Sequence, residues 1–236
     1  MSFSSITELF RPALPIFAEN KRYFKTLDQF QPVEDYEFVV FDTELTGLHE
    51  RQDEIVSIGA VRIKQMRILA GETFYALVKP EKPLPKNSTL IHRITPQQLE
   101  AAPPLNEVLP QFIDYCGKAL LVGHFVDLDT AFLNRACKRI FGSRLHNPCV
   151  DTLRLAQIHM ERFGAPYRNR IDGSHSYNLT ELSRQYGLPA FVPHDALQDA
   201  LQTAYLFLFL IRKFQGEGYR TLREIFHAGQ GSRWAL

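Results

Sequence analysis

Cysteine is scarce in this chain: Cys116, Cys137 and Cys149 are the only three in 236 residues. The number is odd and no two stand at a metal-ligand spacing. A disulfide framework and a zinc site are therefore set aside, and buried thiols in a reducing compartment are expected. Net charge is also nearly absent, with 27 Lys and Arg against 26 Asp and Glu. A protein that holds nucleic acid by its overall field is usually far more basic. Any such partner must be gripped locally, although an acidic cluster that binds cations would itself lower the total. Long apolar runs are missing too. The longest, Ala204–Ile211, is too short to span a bilayer. The opening residues carry no basic segment and place Glu8 inside their apolar stretch, which argues against a secretory signal. No repeat or low-complexity segment is visible. A soluble, cytoplasmic protein with no membrane partner is expected. What is present is ordinary globular material, 45% hydrophobic and 22% charged, enough for one large domain with an appendage.

Three segments are expected. Residues 1–34 mix aromatics with Arg11, Lys21, Arg22 and Lys25, and Pro12, Pro15 and Pro32 disfavour long helices. They read as an N-terminal arm of short helical pieces packed on the main domain. Residues 35–215 hold the main domain, and 216–236 read as a polar C-terminal tail. Within the main domain, "YEFVVFDTE" reads as a buried central strand. Glu54–Ile63 and Glu72–Val78 follow at short spacing and predict an antiparallel meander. Then come a helix over Asn106–Gly117, a strand over Ala119–His124, a helix over Asp129–Gly142, a strand end at Cys149–Asp151 with its helix, a polar loop over 164–177, a capped helix stopping at Gly187, and a last long helix. The predicted fold is α/β, a mixed sheet with helices on both faces.

The segment "VVFDTELTG" places Asp42 and Glu44 at the end of the buried strand. Residues i and i+2 of a strand share a face, so the two carboxylates project side by side. Burying two such charges is costly unless a cation lies between them or one stays protonated. Further on, "GHFVDLDTAFL" places Asp129 at a helix start. "PHDALQDA" places Asp199 in the last long helix, five residues after His194. Carboxylates converging from strand ends and helices make a hard oxygen site suited to Mg²⁺ or Mn²⁺. Two cations about 3.5–4 Å apart form the known clamp for in-line phosphodiester displacement.

"DTELTG", "HFVDLDTAFL" and "HDALQDA" together resemble the three motifs of the DEDDh, or DnaQ-like, 3′–5′ exonucleases, of which the epsilon proofreading subunit of bacterial DNA polymerase III is a type. The resemblance covers about Asp35 to Phe214. It implies an RNase H-like five-stranded sheet, two divalent ions, and removal of 5′-monophosphates from the 3′ end of single-stranded or frayed DNA. It also implies Asp42, Glu44, Asp129 and Asp199 as metal ligands, with Asp42 bridging. His194 becomes the general base, a role that suits a side chain whose unperturbed pKa is about 6.5. Thr43, Leu45, Thr46, His92 and His124 are carried over as substrate-binding residues.

Each assignment has a plainer alternative. Leu45 could be ordinary core, and His92 a capped loop histidine. Asp127 competes with Asp129, and Asp195 with Asp199; the family pattern, with Leu128 before the ligand and Phe132 and Leu133 after it, favours Asp129 and leaves Asp127 as a helix N-cap, while Asp195 fits an N-terminal helix position and Asp151 an N-cap. The family's Asn after the second-motif histidine is Phe125 here, and Arg93 replaces the glycine of its "VHGIT" segment. Arg135, Lys138, Arg139, Arg168 and Arg170 could track a phosphate backbone or be solvated faces. An exoribonuclease on the same fold and a non-catalytic, polymerase-associated binding module are the competing functions. The complete acidic set weighs against the module, since a pure binder has no use for clustered acids beside a phosphate.

Overall fold

The computed structural model describes residues 14–163 and 176–229. Its centre is a five-stranded sheet in the order β3-β2-β1-β4-β5, made of β1 (Phe38–Leu45), β2 (Ile55–Lys64), β3 (Arg67–Leu77), β4 (Leu120–Gly123) and β5 (Cys149–Asp151). The first three strands pair antiparallel, and β4 and β5 add in parallel. This is the expected meander followed by parallel strands. β1 is central because its side chains are apolar on both faces. Phe38 and Val40 pack under the long helix α8 (Ala196–Gly216), with the Phe38 and Phe207 rings 5.0 Å apart. Val39 and Phe41 pack under α4 (Leu105–Cys116) and α5 (Asp127–Phe141), with Phe41 against Phe112.

β3 begins five residues before the Glu72 expected from sequence. Gln65 and Met66 form a two-residue hairpin loop, both at positive φ (48° and 55°), between the Lys64↔Arg67 pair. Such loops normally announce themselves by Asn-Gly or Asp-Gly. Gln65-Met66 is neither dipeptide, so the turn left no signal. Two short helices, α2 (Lys86–His92) and α3 (Pro96–Glu100), lie between β3 and α4, where the sequence pattern assigns no element.

Both flanks of the chain pack on the sheet's helical layers. α1 (Pro15–Lys25) starts on a proline and buries Phe17, Asn20 and Phe24. The Asn20 amide donates to the Gly117 carbonyl at 2.8 Å and to Asn147 Oδ1 at 3.1 Å. At the other end, α9 (Leu222–Gly229) buries Leu222, Ile225 and Phe226. Residues 29–33 and 220–223 are joined by backbone hydrogen bonds. Between them, α6 (Thr152–Phe163) and α7 (Leu179–Gln185) complete the α8 layer. Most of the loop expected over 164–177, including Arg168 and Arg170, lies outside the described residues. Among the described residues no helix is long and apolar enough to cross a membrane.

Candidate active site

Asp42 and Glu44 point from the end of β1 to the α8 face of the sheet. α8 starts on that face, and its first turn brings in Asp199. Carboxylate oxygens of Asp42, Glu44 and Asp199 all lie within 4.8 Å of one another. The start of α8 is tightly built. Asp195 is its N-cap and accepts from the N–H of Leu197 (3.1 Å) and Gln198 (3.0 Å). The backbone N–H of His194 donates to Asp199 Oδ2 at 2.7 Å, and His194 itself holds φ +64° with an exposed side chain.

Asp129 arrives from the opposite layer, in the first turn of α5. It is buried and stands outside the 4.8 Å group, but its charge acts on Asp42 more strongly than any other neighbour's. Thr43 fixes it: both the N–H (3.0 Å) and the hydroxyl of Thr43 donate to Asp129 Oδ1. Asp127 is placed differently. Asp127 is the first helical residue, not the N-cap; Val126 takes that position without any side-chain cap, and Asp127 is exposed, 3.8 Å from Arg154. Asp151 does cap: its Oδ1 accepts from Leu153 N (2.9 Å) and Phe125 N (3.0 Å).

The electrostatics match a cation site. Burial, followed by the charges of Asp199 and Asp129, pushes Glu44 up to about 8 from its ordinary 4.5. Burial lifts Asp129 to about 6, against the lowering effect of its Thr43 hydrogen bonds. Asp42 is held well above the carboxylate range by burial and then by Asp129, Asp199 and Glu44. The acids therefore cannot all ionise at neutral pH without positive charge among them. Oxygen-only ligands without Cys or His fit a hard divalent ion.

The residues carried over for substrate binding divide into two groups. Thr43, Thr46 and His124 spend their polar atoms inside the protein. Thr46 hydroxyl donates to Asp53 Oδ1 and accepts from Glu54 N, both at 3.0 Å, which braces the β1–β2 loop. His124 has Nδ1 2.9 Å from the Thr152 hydroxyl and Nε2 2.8 Å from the Tyr177 carbonyl. His92 differs. Its Nδ1 accepts from Ile94 N at 3.1 Å, so the proton rests on Nε2, which is buried without an acceptor among the described residues. Burial, with His194 nearby, lowers its pKa and keeps the ring neutral. Leu45 is half-buried against the core.

Arg93 and Phe125, the two departures from the family pattern, both hold left-handed backbone, at φ +60° and +59°. Glycine and asparagine suit that region best, which gives the family's preference a steric reason. Two residues at the site left no sequence signal. Tyr75 on β3 feels the charges of Asp195 and Glu44, and Gly59 on β2 lies opposite Asp42. A separate cavity of about 680 Å³ opens on the other face, between the β1–β2 loop and α5. Its cations are mostly engaged: Arg135 with the Asp53 carbonyl, Arg139 with Glu81, Lys82 with the Gln52 carbonyl.

The exonuclease family of the RNase T type matches residues 39–207, which span all five residues of the acidic and histidine set. The chain belongs to this exonuclease family. Its resemblance to the DnaQ-like enzymes and its RNase H-like sheet therefore stand together, and a carboxylate cluster is present in a chain of this divalent metal-dependent family. An epsilon-like protein of DNA polymerase III from Rhodobacter capsulatus is 38% identical over 192 residues, 80% of this chain and 26% of that protein. The DNA polymerase III epsilon subunit of Aquifex aeolicus is 32% identical over 189 residues, 80% of this chain and 87% of its own length. The chain thus spans about a quarter of the first relative, and 12% of a PolC-type polymerase from Caldanaerobacter subterraneus. Among solved structures, E. coli Exonuclease I with a dA16 oligonucleotide superposes with a TM-score of 0.68 at 21% identity, covering 81% of this chain and 42% of that one. Exonuclease X with 5′-overhanging duplex DNA gives 0.58 at 23% identity, covering 81% and 98%. These two share the fold.

Proposed function

We propose that this exonuclease removes nucleotides one at a time from the 3′ end of single-stranded or frayed DNA, with two Mg²⁺ or Mn²⁺ ions, and releases nucleoside 5′-monophosphates. The convergence of Asp42, Glu44 and Asp199 within 4.8 Å carries the reading. Such a group repels a phosphodiester unless cations are bound, and with cations bound it can hold one. Asp42, on which the charges of the other three acids act, would be shared between the ions, and Glu44, Asp199 and Asp129 would complete the set. When bound, the ions neutralise the scissile phosphate and lower the pKa of water. Thr43 holds Asp129 in place. His194 takes the proton from the attacking water: its ring is exposed at the rim while its backbone is pinned to Asp199. The Nε2–H of His92 donates to the terminal nucleotide, and Leu45 packs against its base.

DNA is favoured over RNA because relatives are named as DNA polymerase III epsilon subunits and the superposed exonucleases hold DNA. The same naming supports a polymerase as partner and a cytoplasmic setting. Residues 35–215 are proposed as the catalytic unit, stabilised on both flanks by α1 and α9. The test is a 5′-labelled single strand offered as matched DNA and RNA, with Mg²⁺, Mn²⁺ or chelator. A ladder shortening from the 3′ end with DNA and metal supports the reading. Preferential RNA decay would convert it to an exoribonuclease, and tight binding without turnover would make the protein a binding module.

A further inference from the structure

Gly59 stands opposite Asp42 in the β1–β2 register and faces α8. A methyl group there would lie 2.2 Å from the carbonyl carbon of Ala196 and the nitrogen of Leu197, and 2.4 Å from the Ala196 oxygen. These are backbone atoms of the first turn of α8, so no rotamer change relieves the overlap. That turn moves as one piece. Asp195 caps it, Asp199 N donates to the Asp195 carbonyl at 2.8 Å, and His194 N is bonded to the Asp199 carboxylate. Further along, α8 is anchored by Ala204, Phe207 and Leu210 in the core with Phe38, Val40 and Val61.

We propose that Gly59 is a positioning residue for the metal site. Its lack of a side chain sets how closely the first turn of α8 approaches β2, and hence the reach of Asp199 to Asp42 and Glu44. This rests on the metal-nuclease reading above. Ordinary carbon contacts need about 3.5–4 Å, so a methyl at Gly59 lifts the turn by on the order of 1 Å. Oxygen–Mg²⁺ bonds are about 2.0–2.1 Å with little tolerance, so that shift costs a ligand. The anchored remainder of α8 keeps the fold.

The test is Mn²⁺ binding by titration calorimetry on the full chain, with circular dichroism to establish folding. Gly59→Ala is expected to remain folded and to bind Mn²⁺ at least 10-fold more weakly than wild type. Adding Asp199→Glu, whose side chain is one methylene longer, should recover part of that loss in the double variant, while Asp199→Glu alone weakens binding. Gly71→Ala on β3, where a methyl meets nothing within 4 Å, should bind as wild type does. A folded Gly59→Ala protein with wild-type Mn²⁺ affinity, even with a lowered melting temperature, would reduce Gly59 to a packing role and overturn the proposal. So would a double variant no better than Gly59→Ala, or a Gly59→Ala chain that is unfolded with and without metal. If the wild type itself does not bind Mn²⁺, the metal-nuclease reading falls and takes this inference with it.

Discussion

His194 is built as a strained pivot: left-handed backbone, an N–H locked to Asp199, and an imidazole free in solvent. His194→Ala should cut turnover by roughly 10²–10⁴-fold, the usual range for a lost positioned base. Its effect on Mn²⁺ affinity should be small, because the carboxylates remain. Single-turnover rates at saturating Mg²⁺ beside a thermal melt separate this from a structural loss, which would lower stability and spare the rate per folded molecule. At Arg93 the left-handed backbone brings Cβ close to the following carbonyl oxygen, a cost that glycine avoids. Arg93→Gly should therefore stabilise the protein by up to about 1 kcal/mol, reduced by the extra freedom of glycine in the unfolded chain. A lower melting temperature would mean that the Arg93 side chain holds a contact of its own.

At the scale of elements, the site is a meeting of the β1 end with the first turns of α5 and α8, and its acids are raised in pKa by burial and by one another. Between the ordinary 4.5 of Glu44 and its raised value of about 8, the folded chain holds more protons than the unfolded one. Without metal, stability therefore falls as pH rises through that window. Mg²⁺ should raise the melting temperature more at pH 8 than at pH 5.5, as scanning calorimetry with and without chelator can show. An equal shift at both values would contradict this electrostatic account. Much of this was legible in the sequence. β1 reads clearly because it is apolar on both faces, and the spacing of the acids follows strand and helix periods that survive folding. What was hidden depends on geometry across the chain. The tie from Thr43 to Asp129 joins residues 86 apart, the Gly59 contact needs the approach of α8, and the Gln65–Met66 hairpin lacks its usual residues. α9 looked like tail because "YRTLREIF" mixes charge with apolar residues whose burial becomes apparent only once α6 and β5 lie beside it.

Over the whole molecule, near-neutral charge and a local acidic cluster fit an enzyme that meets its anionic substrate through bound cations and a few contacts at one strand end, not through a broad basic face. Substrate affinity should then depend steeply on divalent metal, and the terminal nucleotide should be the part of the substrate most strongly read. The most direct measurement follows a 5′-labelled DNA single strand through time with wild type and Asp42→Ala, each with Mg²⁺ or excess chelator, and with the 3′ end free or blocked. The account predicts stepwise shortening from the 3′ end only for wild type with Mg²⁺ and a free 3′-OH, with the Asp42→Ala protein folded and inactive. Undiminished cleavage in chelator, or by Asp42→Ala, or of the blocked strand would contradict it.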